Sequence, residues 1–195
     1  MGVSYFSIDD LTLDKEGQKK KSASVTSSRL SIHTIDEIRR EAKKRGIRTQ
    51  PLDIERVIKE IFNINVIKDE MDRNISGYIE ENANKTSWNI YINQYDNLRR
   101  QNFTMAHELA HFVLEHSSSL INGRKDESIL LRSDNDDEVE KEANDFAAEL
   151  LMPENEFREC IEKGINTFEQ LALYFDVSIS AIKYRAYKLK YIGSY

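Results

Sequence analysis

One pentapeptide constrains this chain more than any other feature: His107-Glu108-Leu109-Ala110-His111. On an α-helix, His111 lies about 40° round from His107 and one turn further along, so both imidazoles can reach a single ion. Glu108 sits about 60° beyond His111, close enough to address water on that ion without binding the metal itself. This is the side-chain arrangement of a zinc hydrolase. The competing reading is a core helix whose two histidines are satisfied by ordinary hydrogen bonds.

A catalytic zinc needs a third protein ligand. His116 is five residues beyond His111 and about 140° off the metal-facing side. The longer metzincin pattern also requires Gly and His where Leu114 and Ser117 stand. The helical pattern at 136–152 offers a better donor. Val139, Ala143, Phe146, Ala147, Leu150 and Leu151 define its apolar arc, and Glu140 falls inside that arc. A carboxylate buried there is costly unless positive charge compensates it, which a zinc ion does. Asn144, one turn on, stands where it can accept a hydrogen bond from the outer nitrogen of a ligand histidine. Glu138, Glu142, Asp145 and Glu149 fall on the opposite face and are read as solvated. The acidic run from Asp134 to Glu138 has no turn glycine and is a poor calcium loop, so it reads as solvated helix start.

The surrounding pattern is α+β. Thr34 and Glu37 form a capping box that opens a helix, and Gly46 can stop it. Pro51 precedes a second helix, marked by Ile54, Val57, Ile58 and Ile61. Strands are expected at Tyr78 to Glu80 and at Trp88 to Asn93, joined by a polar turn as an antiparallel hairpin. Helices follow at about 97–116, 136–152 and 167–190, the last interrupted near Asp176.

The formal charge is −6, which argues against a surface devoted to nucleic acid. That average conceals a polarity. Residues 134–162 hold twelve acidic and two basic side chains, so the remainder is net positive. A single cysteine, Cys160, excludes a disulfide framework and a thiolate metal cage. No apolar run approaches membrane-spanning length and no signal-peptide core opens the chain, so a cytoplasmic protein is expected. Residues 1–33, with Lys19-Lys20-Lys21 and scattered serines, read as a mobile arm.

Together, the segments Phe103 to His111 and Glu140 to Pro153 resemble the ImmA/IrrE family of metallopeptidases, and the likeness runs from about residue 35 to 190. It implies a mainly helical, zincin-like core resembling thermolysin, with a small antiparallel sheet. It implies His107, His111 and Glu140 as Zn2+ ligands and Glu108 as general base, in agreement with the helical wheel. Asn144 replaces the Asp of many thermolysin-like enzymes, and Arg100 matches a frequent family arginine. The domain reading is an arm at 1–33, a metallopeptidase domain at 34–153 and a C-terminal helical region at 154–195 packed upon it. Family membership further implies a protein substrate, a helix-turn-helix repressor encoded nearby, whose cleavage derepresses mobile-element or stress genes.

Leu171 to Ser178, followed by Ala181, Ile182 and Arg185, resembles a helix-turn-helix, with Ser178 capping a second helix that bears Lys183, Arg185, Lys188 and Lys190. That helix has no Asn or Gln to read bases. Packing, or docking of a protein partner, is therefore expected in preference to sequence-specific DNA binding. The rival functional class is a non-catalytic regulator that binds DNA or a repressor, or a toxin–antitoxin component, with zinc merely structural. For the group that stabilises the oxyanion, Tyr91, Tyr95 and His116 are candidates.

Overall fold

Local signals set the elements at the N-terminal end. The computed structural model describes residues 34–84, 86–115 and 137–194. The expected arm, the Lys19–Lys21 run, His116 and residues 134–136 of the acidic run lie outside them. Helix α1 spans Ile35–Lys44 and opens on the reciprocal Thr34–Glu37 capping box. It ends as Gly46 takes φ +68°, letting Ile47 N–H reach back to the Ala42 carbonyl. Helix α2 spans Ile54–Ile61 and buries the four isoleucine and valine positions that predicted it.

Three strands follow: β1 (Asn65–Asp69), β2 (Gly77–Glu81) and β3 (Trp88–Asn93). The β2–β3 hairpin is antiparallel, with Tyr78 opposite Tyr91 and Ile79 opposite Ile90. Strand β1 joins the other side of β3 in parallel, so the order is β1-β3-β2 and the sheet is mixed. Sequence pattern missed β1 because it is an exposed edge strand, apart from half-buried Val66, and its apolar residues Val66 and Ile67 are adjacent. Ile90 and Ile92 are fully buried on one face of the sheet. On the other, Tyr78 and Tyr91 stack with ring centroids 4.8 Å apart.

Helix α3 spans Leu98–Val113 and is the hub of the molecule. From Gln101 to His111 every residue except Asn102 is buried. A helix buried nearly all round has no solvated face on which to place its polar residues, so they must find partners inside. Gln101 donates to the carbonyls of Asn93, Gln94 and Asp96, tying the start of α3 to the end of β3. Asn93 in turn donates to the carbonyls of Met71, Asp72 and Ile75. At the far end of α3, Phe112 packs edge-on against Trp88 of β3 and Phe62 after α2.

Among the described residues, four further helices follow: α4 (Asp137–Leu151), α5 (Glu154–Glu162), α6 (Phe168–Phe175) and α7 (Ile179–Lys188). Helix α4 packs along α3. Pro153 separates α4 from α5, a helix the sequence pattern did not single out, which faces the core through Phe157 and Cys160. The interruption expected near Asp176 is a left-handed residue at φ 54°, tolerated by a short polar side chain. Ser178 caps α7 as expected. One hydrophobic core runs from Ile38 in α1 to Ala186 in α7. Among the described residues, no helix is long and apolar enough to cross a membrane.

The hairpin approaches α3 at Gly77, where an added Cβ would stand 2.7 Å from both Thr104 Cγ2 and the Tyr91 carbonyl oxygen. We expect Gly77→Ala to lower unfolding free energy by about 1–3 kcal/mol through overpacking. Gly193→Ala, with open space around it, should change stability little. Urea unfolding of the two variants checks this, and equal midpoints would contradict the contact.

Candidate metal centre

Helical spacing brings His107 and His111 to the same side of α3, and their rings meet edge to face with centroids 4.6 Å apart. Both are buried, with 0% and 2% exposure. Glu140 reaches them from the first turns of α4. Its Oε2 lies 3.2 Å from His107 Nε2, its Oε1 lies 3.6 Å from His111 Nε2, and the two Nε2 atoms are 3.0 Å apart. Of the described histidine, cysteine and acidic residues, these three form the one group with donor atoms close enough for a shared ion. The three separations bracket the edge of about 3.3 Å expected for a tetrahedral ion with ligand bonds of about 2.0–2.1 Å.

Hydrogen bonding fixes which lone pairs face inward. Asn144 Oδ1 lies 3.1 Å from His107 Nδ1. A carbonyl oxygen only accepts, so Nδ1 carries a proton and Nε2 is the ring nitrogen that faces Glu140 and His111. Without a metal ion, protons on the imidazole nitrogens can satisfy the contacts to Glu140; with one, the same inward-facing nitrogens and the carboxylate offer three donor atoms. The donor set, two imidazoles and one carboxylate, suits a divalent metal of the zinc type.

Glu140 is largely buried, with 17% of its side chain exposed. Burial pushes its carboxyl up, but hydrogen bonds from His107 and His111, together with their charge, outweigh that and hold it well below the usual carboxylate range. It is therefore an anion at neutral pH. Glu108, the other carboxylate singled out by the sequence, is 2% exposed on the same helix.

The helical wheel of α4 separates its carboxylates only in part. Glu138 and Glu142 are exposed, as expected for a solvated face. Asp145 and Glu149 are instead half-buried, because α7 packs on that side. The Tyr184 hydroxyl and Lys188 donate to Asp145, and Arg185 donates to Glu149. Of the four positive side chains expected on one basic helix, Arg185 is thus buried and Lys188 is engaged. Lys183 sits 5.6 Å from the Phe168 ring centroid.

Two oxyanion candidates lie in unsuitable places. Tyr91 projects from the sheet face opposite Ile90 and Ile92, while α3 meets the Ile92 side at Gly77 and Thr104. Tyr95 is 66% exposed and donates to Glu70. Arg100 ties the start of α3 to the sheet, with its guanidinium on Ser76 Oγ and Asp96. Arg100 was marked in the sequence only by its match to a frequent family arginine, and the Gln101–Asn93 network carried no signal, since single polar residues show no period.

Residues 59–187, well over half of the chain, match a family described as the IrrE N-terminal-like domain, Peptidase_M78. Metallopeptidase ImmA of Bacillus subtilis (strain 168) is 29% identical over 143 residues, covering 71% of this chain and 76% of that protein. Among solved structures, a Mycobacterium tuberculosis transcriptional regulator superposes with a TM-score of 0.56 at 19% identity. That alignment covers 78% of this chain but 46% of the other, so the chain spans under half of that structure, and the likeness is one of fold.

The Asn144 contact makes a direct expectation. In metal-free protein at neutral pH, long-range 15N–1H NMR should find His107 as the Nδ1–H tautomer. Asn144→Leu should release that preference. An Nε2–H tautomer in the unsubstituted protein would contradict the arrangement.

Proposed function

The chain belongs to the IrrE N-terminal-like peptidase family, and on that footing we propose that it is a zinc-dependent endopeptidase using His107, His111 and Glu140 as ligands and Glu108 as general base. The observation that carries this reading is the convergence of the three donor atoms at 3.0–3.6 Å within a buried helix pair. Asn144 supports it by fixing the His107 tautomer that leaves Nε2 free to ligate. A zinc ion held there supplies Lewis acidity toward a peptide carbonyl and toward water.

The protein's own groups account for the remaining chemistry. Glu108 accepts a proton from the attacking water, and the same carboxyl later delivers it to the departing amine nitrogen. Its place beside His107 on a rigid, buried helix restricts how far its oxygens can wander from the ligand histidines. The substrate binds extended, as an added strand. Because β3 is central, the free edge of the hairpin is β2, and backbone groups of Gly77–Glu81 would pair with the peptide.

We assign the substrate to the helix-turn-helix repressor class, whose cleavage would derepress mobile-element or stress genes. Membership of the family and the likeness to a protein named Metallopeptidase ImmA support this. The engagement of Arg185 and Lys188 with α4 favours packing over groove insertion for α7, and so favours the peptidase over a DNA-binding regulator.

Two variants separate coordination from proton transfer. Glu108→Gln should retain zinc near one equivalent per chain while cleavage of the repressor falls by about 10²–10⁴-fold. Glu140→Ala should lose zinc, and with it thermal stability, since metal binding is linked to folding. Glu138→Ala and Glu142→Ala should change both little. Wild-type cleavage by Glu108→Gln, or equal zinc loss across all three alanine variants, would overturn the assignment.

A further inference from the structure

Helix α4 carries Glu140 and Asn144 but has no basic residue in its last turn, where Glu149 adds to the negative end of the helix dipole. Positive charge reaches that end from two distant segments. Arg39 of α1 donates through Nη1 to the Leu150 carbonyl at 2.9 Å, and its other nitrogen engages Thr49 and Glu156. Arg185 of α7, 6% exposed, donates through Nε to the Met152 carbonyl at 2.9 Å and through Nη2 to Glu149. One turn nearer the metal centre, Asp145 accepts from the Tyr184 hydroxyl at 2.5 Å and from Lys188 Nζ at 2.7 Å.

These bonds form a ladder. Asp145 and Glu149 are four apart on α4, and Tyr184, Arg185 and Lys188 fill the facing side of α7. Asp145 directly follows Asn144, whose oxygen faces His107, and lies five residues beyond Glu140. The buried face of α4 joins the small side chains Ala143, Ala147 and Ala148 to the larger Phe146, Leu150 and Leu151. Turning a helix by about 20° moves an atom about 5 Å from its axis by about 2 Å. Metal bonds tolerate about 0.2 Å. The bonds to Asp145 and Glu149 add direction that apolar packing alone supplies less sharply.

We infer that Arg185, with Tyr184 and Lys188, are positioning residues for the metal centre: the C-terminal helix sets the rotation and height of α4, and so the placement of Glu140 and Asn144 against the histidines. This rests on the reading of His107, His111 and Glu140 as ligands. It gives the helix-turn-helix-like hairpin a task within the enzyme, and explains why its most buried cation points inward.

The test loads the full chain with Co2+ and follows affinity, by chelator competition, together with the visible spectrum of the bound ion. Arg185→Ala should weaken Co2+ about tenfold and alter its absorption bands, as loss of an orienting partner does. Arg185→Lys, which keeps the charge but loses the planar fork that spans the Met152 carbonyl and Glu149, should recover part of both. Ile61→Val, a core change in α2, serves as the control for stability alone and should leave affinity and spectrum unchanged. Should Arg185→Ala fail to fold, Tyr184→Phe decides the matter, with an expected severalfold loss and the same spectral change. Wild-type affinity and spectrum in the variant that folds would overturn the proposal while leaving the ligand assignment intact. Absence of Co2+ binding by the unsubstituted chain would overturn the ligand assignment and this inference with it.

Discussion

Two imidazole nitrogens and a carboxylate are held 3.0–3.6 Å apart inside a helix pair, where hydrogen bonds and positive charge from the histidines offset the burial of the carboxylate. Each group gives up hydration to reach this arrangement, so its partners must be held in place. The surrounding architecture is organised to hold it. Helix α3 is locked to the sheet at its start by Gln101 and by the Arg100–Ser76 bond, and to aromatic rings at its end by Phe112. Helix α4 is locked from outside by Arg39 and Arg185. Neither helix can easily move away, so the three donor atoms stay within reach of one another.

The polar residues of α3 show how the price of that arrangement is met. Gln101 makes three hydrogen bonds to carbonyls at the end of β3, and Thr104 returns one to the Arg100 carbonyl. These bonds offset the penalty of about 1–3 kcal/mol that an unsatisfied buried group carries, although Gln101 Oε1 has no hydrogen-bond partner among the described residues. The hub helix is thus tethered through polar contacts in its first half, while His107 and His111 in its second half face Glu140. Order at one end supports chemistry at the other.

Much of this was legible in the amino-acid sequence. Spacing alone places His107 and His111 together, and the wheel of the second helix selects Glu140 and Asn144 from a dense acidic run. The same wheel misread Asp145 and Glu149, because it assumes that a helix has one packed side, whereas α4 is held by α3 on one flank and α7 on another. Tertiary ion pairs leave no period in the sequence, so the role of Arg185 could be read only as a charge on a basic helix. Strand β1 was invisible for a different reason: an exposed edge strand with adjacent apolar residues shows no alternation. Helix α5 escaped notice because only Phe157 and Cys160 of its nine residues are buried.

The central claim is that two imidazoles and one carboxylate share a single metal ion. Zinc-edge X-ray absorption on the chain loaded with one equivalent of Zn2+ addresses it directly. The expected spectrum has four nitrogen or oxygen scatterers at about 2.0–2.1 Å, with the outer-shell pattern of two imidazoles and no sulfur. A six-oxygen shell, a sulfur scatterer or a single imidazole would contradict the account.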